Sequence, residues 1–220
     1  MKKIAVLVSG GGTNLQALID AQNRGEIVGG EIVAVISSDP TAYALKRAAK
    51  ANIPGYVISR KDYASNQAMT MALTGKLQSL EIDLVVLAGF MTILTAEIVK
   101  AFPDAIINIH PALIPSFCGP GCYGLHVHEK ALAYGVKLSG ATVHFVSEEC
   151  DGGPIIIQKA VDVLPGDTPE VLQRRIMEQC EWLILPRAVS LFCQDKLRVE
   201  GRVVRVLDYI FHLGGDGTAN

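Results

Sequence analysis

Four apolar runs constrain the first half of the chain: Ile4–Ser9, Ile32–Ile36, Leu84–Ala88 and Ala105–His110. Their consecutive apolar residues leave no polar face, so strands built from them must be covered on both sides. The segments between them carry helical spacing. Leu15, Leu18 and Ile19 mark a helix reaching to about Gly25, Ala42–Ala51 a second, and Met69, Leu73 and Leu77 one side of a third over Tyr63–Leu80. Thr95–Ala101 reads as a short helix and Gly55–Ser59 as a short strand. Strands alternating with helices give a parallel sheet with right-handed crossovers. The expected fold is α/β, a Rossmann-like, mostly parallel sheet with helices on both faces.

The second half changes character. Pro111–Gly124 is a long loop rich in Pro, Gly and Cys, and such loops are usually functional or mobile. Val127–Tyr134 reads as a helix. Leu138–Val146 and Ile155–Val163 read as strands joined through the turn Ser147–Pro154, which adds antiparallel strands to the sheet. Thr168–Phe192 carries a long helix with Thr168 as N-cap and Pro169 in its first turn. Pro186 is expected to kink or split that helix. Leu197–Leu207 is expected to form a hairpin around Glu200-Gly201, and the polar tail 214–220 to be disordered. With 220 residues and no repeat or linker, one domain spanning 1–220 is expected.

Composition excludes several partners. The net charge is -2 and no basic run occurs, so nucleic acid is not an expected ligand. No apolar run is long enough to cross a bilayer. Met1-Lys2-Lys3 leads directly into a strand without a signal-peptide cleavage pattern. The five cysteines, Cys118, Cys122, Cys150, Cys180 and Cys193, are odd in number and irregularly spaced, which points to a reducing cytoplasm. Cys118 and Cys122 precede His126 and His128, but no second Cys pair follows at zinc-finger spacing, so no metal is expected.

Three stretches carry chemistry. In Ile106-Ile107-Asn108-Ile109-His110-Pro111 an apolar strand delivers two polar side chains and stops at a proline. Asn108 and His110 are two apart, so they share a face at the carboxyl end of a strand, where open α/β sheets bind ligands. They supply a hydrogen-bond donor and a group that titrates near neutrality. Ser9-Gly10-Gly11-Gly12-Thr13-Asn14, between a strand and a helix, has the form of a phosphate cradle. It matches neither the Walker loop nor the dinucleotide fingerprint, so a phosphomonoester is the expected ligand. Thr13 and Asn14 could equally be helix caps. In Cys150-Asp151-Gly152-Gly153-Pro154 a carboxylate sits on a forced bend. Asn108, His110 and Asp151 then read as donor, acid/base and orienting carboxylate.

With these stretches together, the chain resembles the folate-dependent phosphoribosylglycinamide formyltransferases of purine biosynthesis. The resemblance runs through Ala5–Ala17, Val85–Met91, Asn108–Pro115, Gly124–His126, Val143–Val146 and Asp151–Ile156. It implies that the amine of glycinamide ribonucleotide attacks the formyl group of 10-formyltetrahydrofolate, with no metal. The family's catalytic triplet falls on Asn108, His110 and Asp151, and its ribonucleotide site on Gly12, Thr13 and Asn14. With Pro186 as anchor, a ribonucleotide-binding carboxylate falls on Glu181. The folate pocket falls on Met91, Thr92, Ile93 and Leu94, on Asn108 and His144, and on the turn at Cys150. Residues 1–105 then form the phosphate-binding half and 106–207 the catalytic and folate-binding half. Monomer and homodimer both remain open.

Three departures from the family pattern stand out. Thr92 stands where Arg is common after Phe-Met, and Asn66 where a basic residue is common. The loop Phe117–Tyr123 is longer than usual, which suggests a lid over the ribonucleotide side, with Cys118 and Cys122 able to gate activity by oxidation. Three rival readings stand beside this one. A methionyl-tRNA formyltransferase would need a further tRNA-binding domain and a basic surface. A formyltetrahydrofolate hydrolase uses the same triplet, but carries a further domain before a region like this one. A non-catalytic sensor of a phosphorylated metabolite explains the glycine loop but not the meeting of His110 with Asp151.

Overall fold

The computed structural model describes residues 1–207. The tail expected to be disordered lies outside them. Strand β1 (Lys2–Val8) is the centre of one half of the sheet, and Ile4 to Val8 are fully buried, as a strand covered on both faces requires. Helix α1 (Thr13–Asn23) follows the glycine loop, then β2 (Gly30–Ser37), α2 (Tyr43–Lys50) and β3 (Gly55–Val57). A 3-10 turn at Arg60–Asp62 precedes the span expected for the third helix, and α3 runs over Asn66–Ser79, beginning three residues after the expected Tyr63. Ser65 sets that boundary, because its hydroxyl accepts from the Ala68 amide at 3.0 Å and caps the helix there. Strand β4 (Leu84–Leu87), α4 (Ala96–Ala101) and β5 (Ile106–His110) complete this half.

The chain moves outward from β1 through β2 to β3, then returns to place β4 on the other side of β1, with β5 beyond it. All four ladders among these strands are parallel. The order reverses between β1 and β4, so a crevice opens beyond their carboxyl ends. The glycine loop follows β1 there, and Gly89-Phe90-Met91 follows β4.

Helix α5 (Leu125–Tyr134) precedes β6 (Leu138–Phe145) and β7 (Ile155–Asp162), which extend the sheet in antiparallel pairing beside β5. The hairpin β8 (Leu197–Glu200) and β9 (Val203–Val206) forms the far edge, giving nine strands in the order β3-β2-β1-β4-β5-β6-β7-β9-β8. One face of the sheet packs on Met69, Leu73 and Leu77 of α3 and Ile98 of α4. The other packs on Leu15 and Leu18 of α1 and on the helices that follow β7.

Those last helices correct part of one expectation: the helix is not split at Pro186. Thr168 caps α6 (Pro169–Ile176) through its hydroxyl, the backbone widens to a π-helical turn over Met177–Glu181, and α7 (Trp182–Cys193) continues with Pro186 inside it. A proline has no N–H for the carbonyl four residues back, and its ring crowds that carbonyl. Here the crowded carbonyl is that of Trp182, and the chain is widened in the turn just before it.

Candidate active site

Asn108 and His110 end β5, on the face where both point beyond the sheet's edge. His144 of β6 lies directly opposite Asn108 in the antiparallel ladder, which brings a third polar group to the same place. Asp151 arrives from the turn between β6 and β7. Its backbone is left-handed, with φ of 53°. Gly153, two residues on, admits no side chain, since a Cβ there would lie 1.8 Å from the Phe145 carbonyl oxygen. The bend read from the sequence is thus forced by close backbone approach, and it presents a carboxylate whose side chain is only 12% exposed.

The hydrogen bonds assign proton positions. His144 is buried, and its Nδ1 lies 2.8 Å from the Phe145 carbonyl oxygen. A carbonyl only accepts, so Nδ1 carries the hydrogen. Burial lowers the His144 pKa against the pull of that carbonyl and of Asp151, so the ring is neutral and Nε2 is bare. The Asn108 amide nitrogen therefore donates to His144 Nε2, at 3.1 Å. Its other N–H points to Asp151 Oδ1, at 3.5 Å.

His110 is likewise buried. Its Nε2 donates to the Phe117 carbonyl oxygen at 2.9 Å, and its Nδ1 faces Asp151 Oδ2 across 3.7 Å. Asp151 Oδ2 also accepts the Gly119 amide at 2.9 Å. The long loop expected to cover the ribonucleotide side thus reaches the triplet itself. Its root is pinned by Thr142, whose hydroxyl donates to the Ala112 carbonyl oxygen at 2.6 Å and accepts from the Ile114 amide at 3.1 Å.

A second cluster forms where α1 meets the π-helical turn. Gly12 has φ of 72°, and a Cβ on it would sit 2.6 Å from the Ala44 Cβ, so both backbone and packing require glycine. Neither Thr13 nor Asn14 caps α1. Instead the Thr13 hydroxyl points to Met177 Sδ at 3.8 Å, and Asn14 Nδ2 donates to Glu181 Oε2 at 2.7 Å. Met177 and Glu181 are the two ends of the widened turn. Glu181 is buried, which pushes its pKa up against the lowering effect of Asn14. A carboxyl group thus stands behind a strand–glycine–helix loop, at the helix end that favours anions.

The loop after β4 is tied to the glycine loop, because the Met91 amide donates to Ser9 Oγ at 2.8 Å. Met91 and Ile93 are 52% and 71% exposed, so two apolar side chains stand unburied at the switch-point crevice. Thr92 and Leu94 are half-buried beside them. Asn66 is engaged in holding this loop, donating to the Ile93 carbonyl oxygen at 2.7 Å. Cys150 is exposed, with its sulfur 3.8 Å from Asp151 Oδ2.

No signal in the sequence marks Arg47, the main-chain groups of Phe117 and Gly119, or the link from Ser9 to the loop after β4. Arg47 Nε holds the Gly11 carbonyl oxygen at 2.8 Å and places a guanidinium against the glycine loop. Among the described residues, no group of three or more His, Cys, Asp and Glu side chains is arranged to hold a metal ion. His126 is taken up by Glu129 at 2.8 Å, and Cys122 Sγ lies 3.2 Å from Lys130 Nζ.

Comparison with known proteins decides the family. Residues 2–189 match the formyl transferase family. The chain belongs to that family. It is 44% identical over 200 residues to the phosphoribosylglycinamide formyltransferase of Haemophilus influenzae, with 91% of each chain covered. It is 46% identical over 198 residues to the trifunctional purine biosynthetic protein adenosine-3 of Drosophila pseudoobscura pseudoobscura, covering 90% of this chain and 14% of that one. The crystal structure of glycinamide ribonucleotide transformylase 1 from Symbiobacterium toebii superposes with a TM-score of 0.89 at 46% identity, covering 94% of this chain and 95% of that one. The family expected from the sequence motifs is the family found.

Proposed function

We propose that this formyltransferase moves the formyl group of 10-formyltetrahydrofolate onto the amine of glycinamide ribonucleotide, a step of purine biosynthesis. The observation that carries the reading is the meeting of Asn108, His110 and Asp151 at one sheet edge, in a chain so similar to phosphoribosylglycinamide formyltransferases along its length. The ribonucleotide phosphate lies against Gly12, Thr13 and Asn14, where free helix N–H groups and the Arg47 charge favour an anion. Glu181 accepts a hydrogen bond from Asn14 and holds the polar part of the ribonucleotide. The folate lies along Met91, Thr92, Ile93 and Leu94, with His144 and Cys150 at the reacting end. The cytoplasm is the proposed compartment, supported by five unpaired cysteines.

Attack of the amine on the formyl carbon produces a tetrahedral oxyanion. Asn108 donates to it, and so does His110 once protonated on Nδ1, since its Nε2–H is held by the Phe117 carbonyl. Both Asn108 N–H groups are directed within the protein, and the contact to Asp151 at 3.5 Å is the longer. That N–H is the one available to the oxyanion, while His144 keeps the other and fixes the amide plane. Losing one such donor typically costs roughly 10²–10³ in rate. Asp151, freed of Asn108, takes the proton leaving the attacking amine and, through the facing His110 Nδ1, that proton is passed to the folate nitrogen as it departs.

The test is release of tetrahydrofolate from a 10-formyl folate, followed by absorbance with and without glycinamide ribonucleotide. Release that requires the ribonucleotide is expected. Equal release without it would make the protein a hydrolase, and none in either case would leave a non-catalytic binder.

A further inference from the structure

We infer that the main chain of the loop Phe117–Gly119 is a positioning device for the transfer, setting the tautomer of His110 through the Phe117 carbonyl and the aim of Asp151 through the Gly119 amide. The inference rests on the proposed transfer for its kinetic consequence, but its structural core stands without it. Two catalytic side chains are each held, at 2.9 Å, by main-chain groups only two residues apart. A carbonyl oxygen cannot donate, so His110 Nε2 must carry a hydrogen. In the neutral ring Nδ1 is then the bare nitrogen, and it faces Asp151 Oδ2. A proton reaching His110 goes to Nδ1, beside the carboxylate that relays it. Without the Phe117 carbonyl, the Asp151 carboxylate would draw the ring's hydrogen to Nδ1 and leave Nε2 bare.

The loop is shaped for these two contacts. Phe117 has φ of 50°, a conformation that a bulky residue rarely adopts, and Gly119 has φ of 83°. The Phe117 ring packs edge-on against Tyr134 of α5, with centroids 5.9 Å apart. This contact seats the residue whose carbonyl holds His110. The Gly119 carbonyl closes a turn onto the Cys122 amide at 3.1 Å. The side chain of Phe117 thus serves to place its own carbonyl oxygen, and its phenyl ring needs no contact with substrate.

Phe117→Gly tests this. Glycine accepts the backbone angle but loses the seat on Tyr134, so the carbonyl is no longer held. Imidazole ¹⁵N–¹H correlation spectra of the ligand-free protein read the tautomer directly, with His144, hydrogen on Nδ1, as internal reference. The wild type is expected to show His110 with hydrogen on Nε2, and Phe117→Gly a mixture or the Nδ1 form. The variant is expected to lose roughly tenfold to a hundredfold in kcat with little change in the ribonucleotide KM, the scale of a small misplacement of reacting groups. Phe117→Tyr, which keeps the ring, is expected to retain wild-type kcat. Should Phe117→Gly fail to fold, Tyr134→Ala removes the same seat from an exposed position and is read in the same two ways. An unchanged His110 tautomer together with unchanged kcat overturns the inference. So does a rise in kcat, which would make the loop a plug over the triplet. Absence of turnover in the wild type would instead count against the proposed function, and the spectra would still decide the tautomer.

Discussion

At the scale of single residues, the roles proposed for Asp151 and Thr13 separate chemistry from binding. Asp151 touches His110, Asn108 and the Gly119 amide, and its proposed place is at the reacting end. Asp151→Asn keeps the size of the side chain but removes the base. Turnover is expected to fall by about 10²–10⁴ with both KM values nearly unchanged, and steady-state kinetics on the two substrates checks this. Thr13 makes one weak contact, to Met177 at 3.8 Å, so Thr13→Ala is expected to leave stability within about 0.5 kcal/mol. Its effect should appear in the ribonucleotide KM, raised at constant kcat, because a phosphate contact is remote from the bond being made. An unchanged KM would remove Thr13 from the phosphate site. Asn108 and His110 were legible because a spacing of two on a strand has one geometric meaning, and Asp151 because Gly-Gly-Pro allows few backbones. The contacts of His110 and Asp151 with Phe117 and Gly119 were not legible. Main-chain donors and acceptors occur at nearly every residue, so no residue type announces them.

At the scale of elements, the strands and most helices followed from apolar runs and helical periodicity, which depend only on burial. The widened turn Met177–Glu181 did not. Its two ends, Met177 and Glu181, contact Thr13 and Asn14 of α1, partners far away in sequence that local periodicity does not reveal. The alternative reading of Thr13 and Asn14 as caps is not realised, because their side chains turn to partners 164 and 167 residues away. The loop Phe117–Tyr123 contacts both His110 and Asp151, and it carries two thiols. Cys122 Sγ lies 3.2 Å from the Lys130 ammonium, whereas burial and Asp151 push the Cys118 thiol up. Diamide accepts two electrons and two protons as it joins two thiols. Cys122 attacks it first, and Cys118 then displaces the reduced reagent to close a disulfide across the turn. The loop would draw away from His110 and Asp151, so turnover is expected to drop at least tenfold and to return with dithiothreitol. Cys118→Ser and Cys122→Ser are expected to work normally and to resist diamide. Equal loss in all three proteins would place the reactive thiol elsewhere.

At the scale of the whole molecule, acid is expected to weaken the fold through His128. This side chain of α5 is fully buried, and among the described residues neither ring nitrogen has a hydrogen-bond partner. Burial, helped by the nearby His110, lowers its pKa from 6.5 to about 4. In the unfolded chain the same imidazole takes a proton below about 6.5. Between these two values the unfolded state binds more protons than the folded one, so stability falls as the pH falls and levels off only below about 4. One pKa unit corresponds to about 1.4 kcal/mol, so the loss attributable to His128 by pH 5 is roughly 2 kcal/mol. His128→Leu removes both the titration and the unpartnered nitrogens while keeping an apolar side chain of similar size in the core. Urea denaturation of both proteins at about pH 7 and pH 5 separates this group from every carboxylate, because all other titrations are common to the pair. The wild type is expected to lose roughly 2 kcal/mol more than the variant between the two conditions. An equal loss would mean that the folded protein takes up the proton at His128 without penalty, and the packing of α5 against the His110 strand would then be looser than the burial of this ring requires.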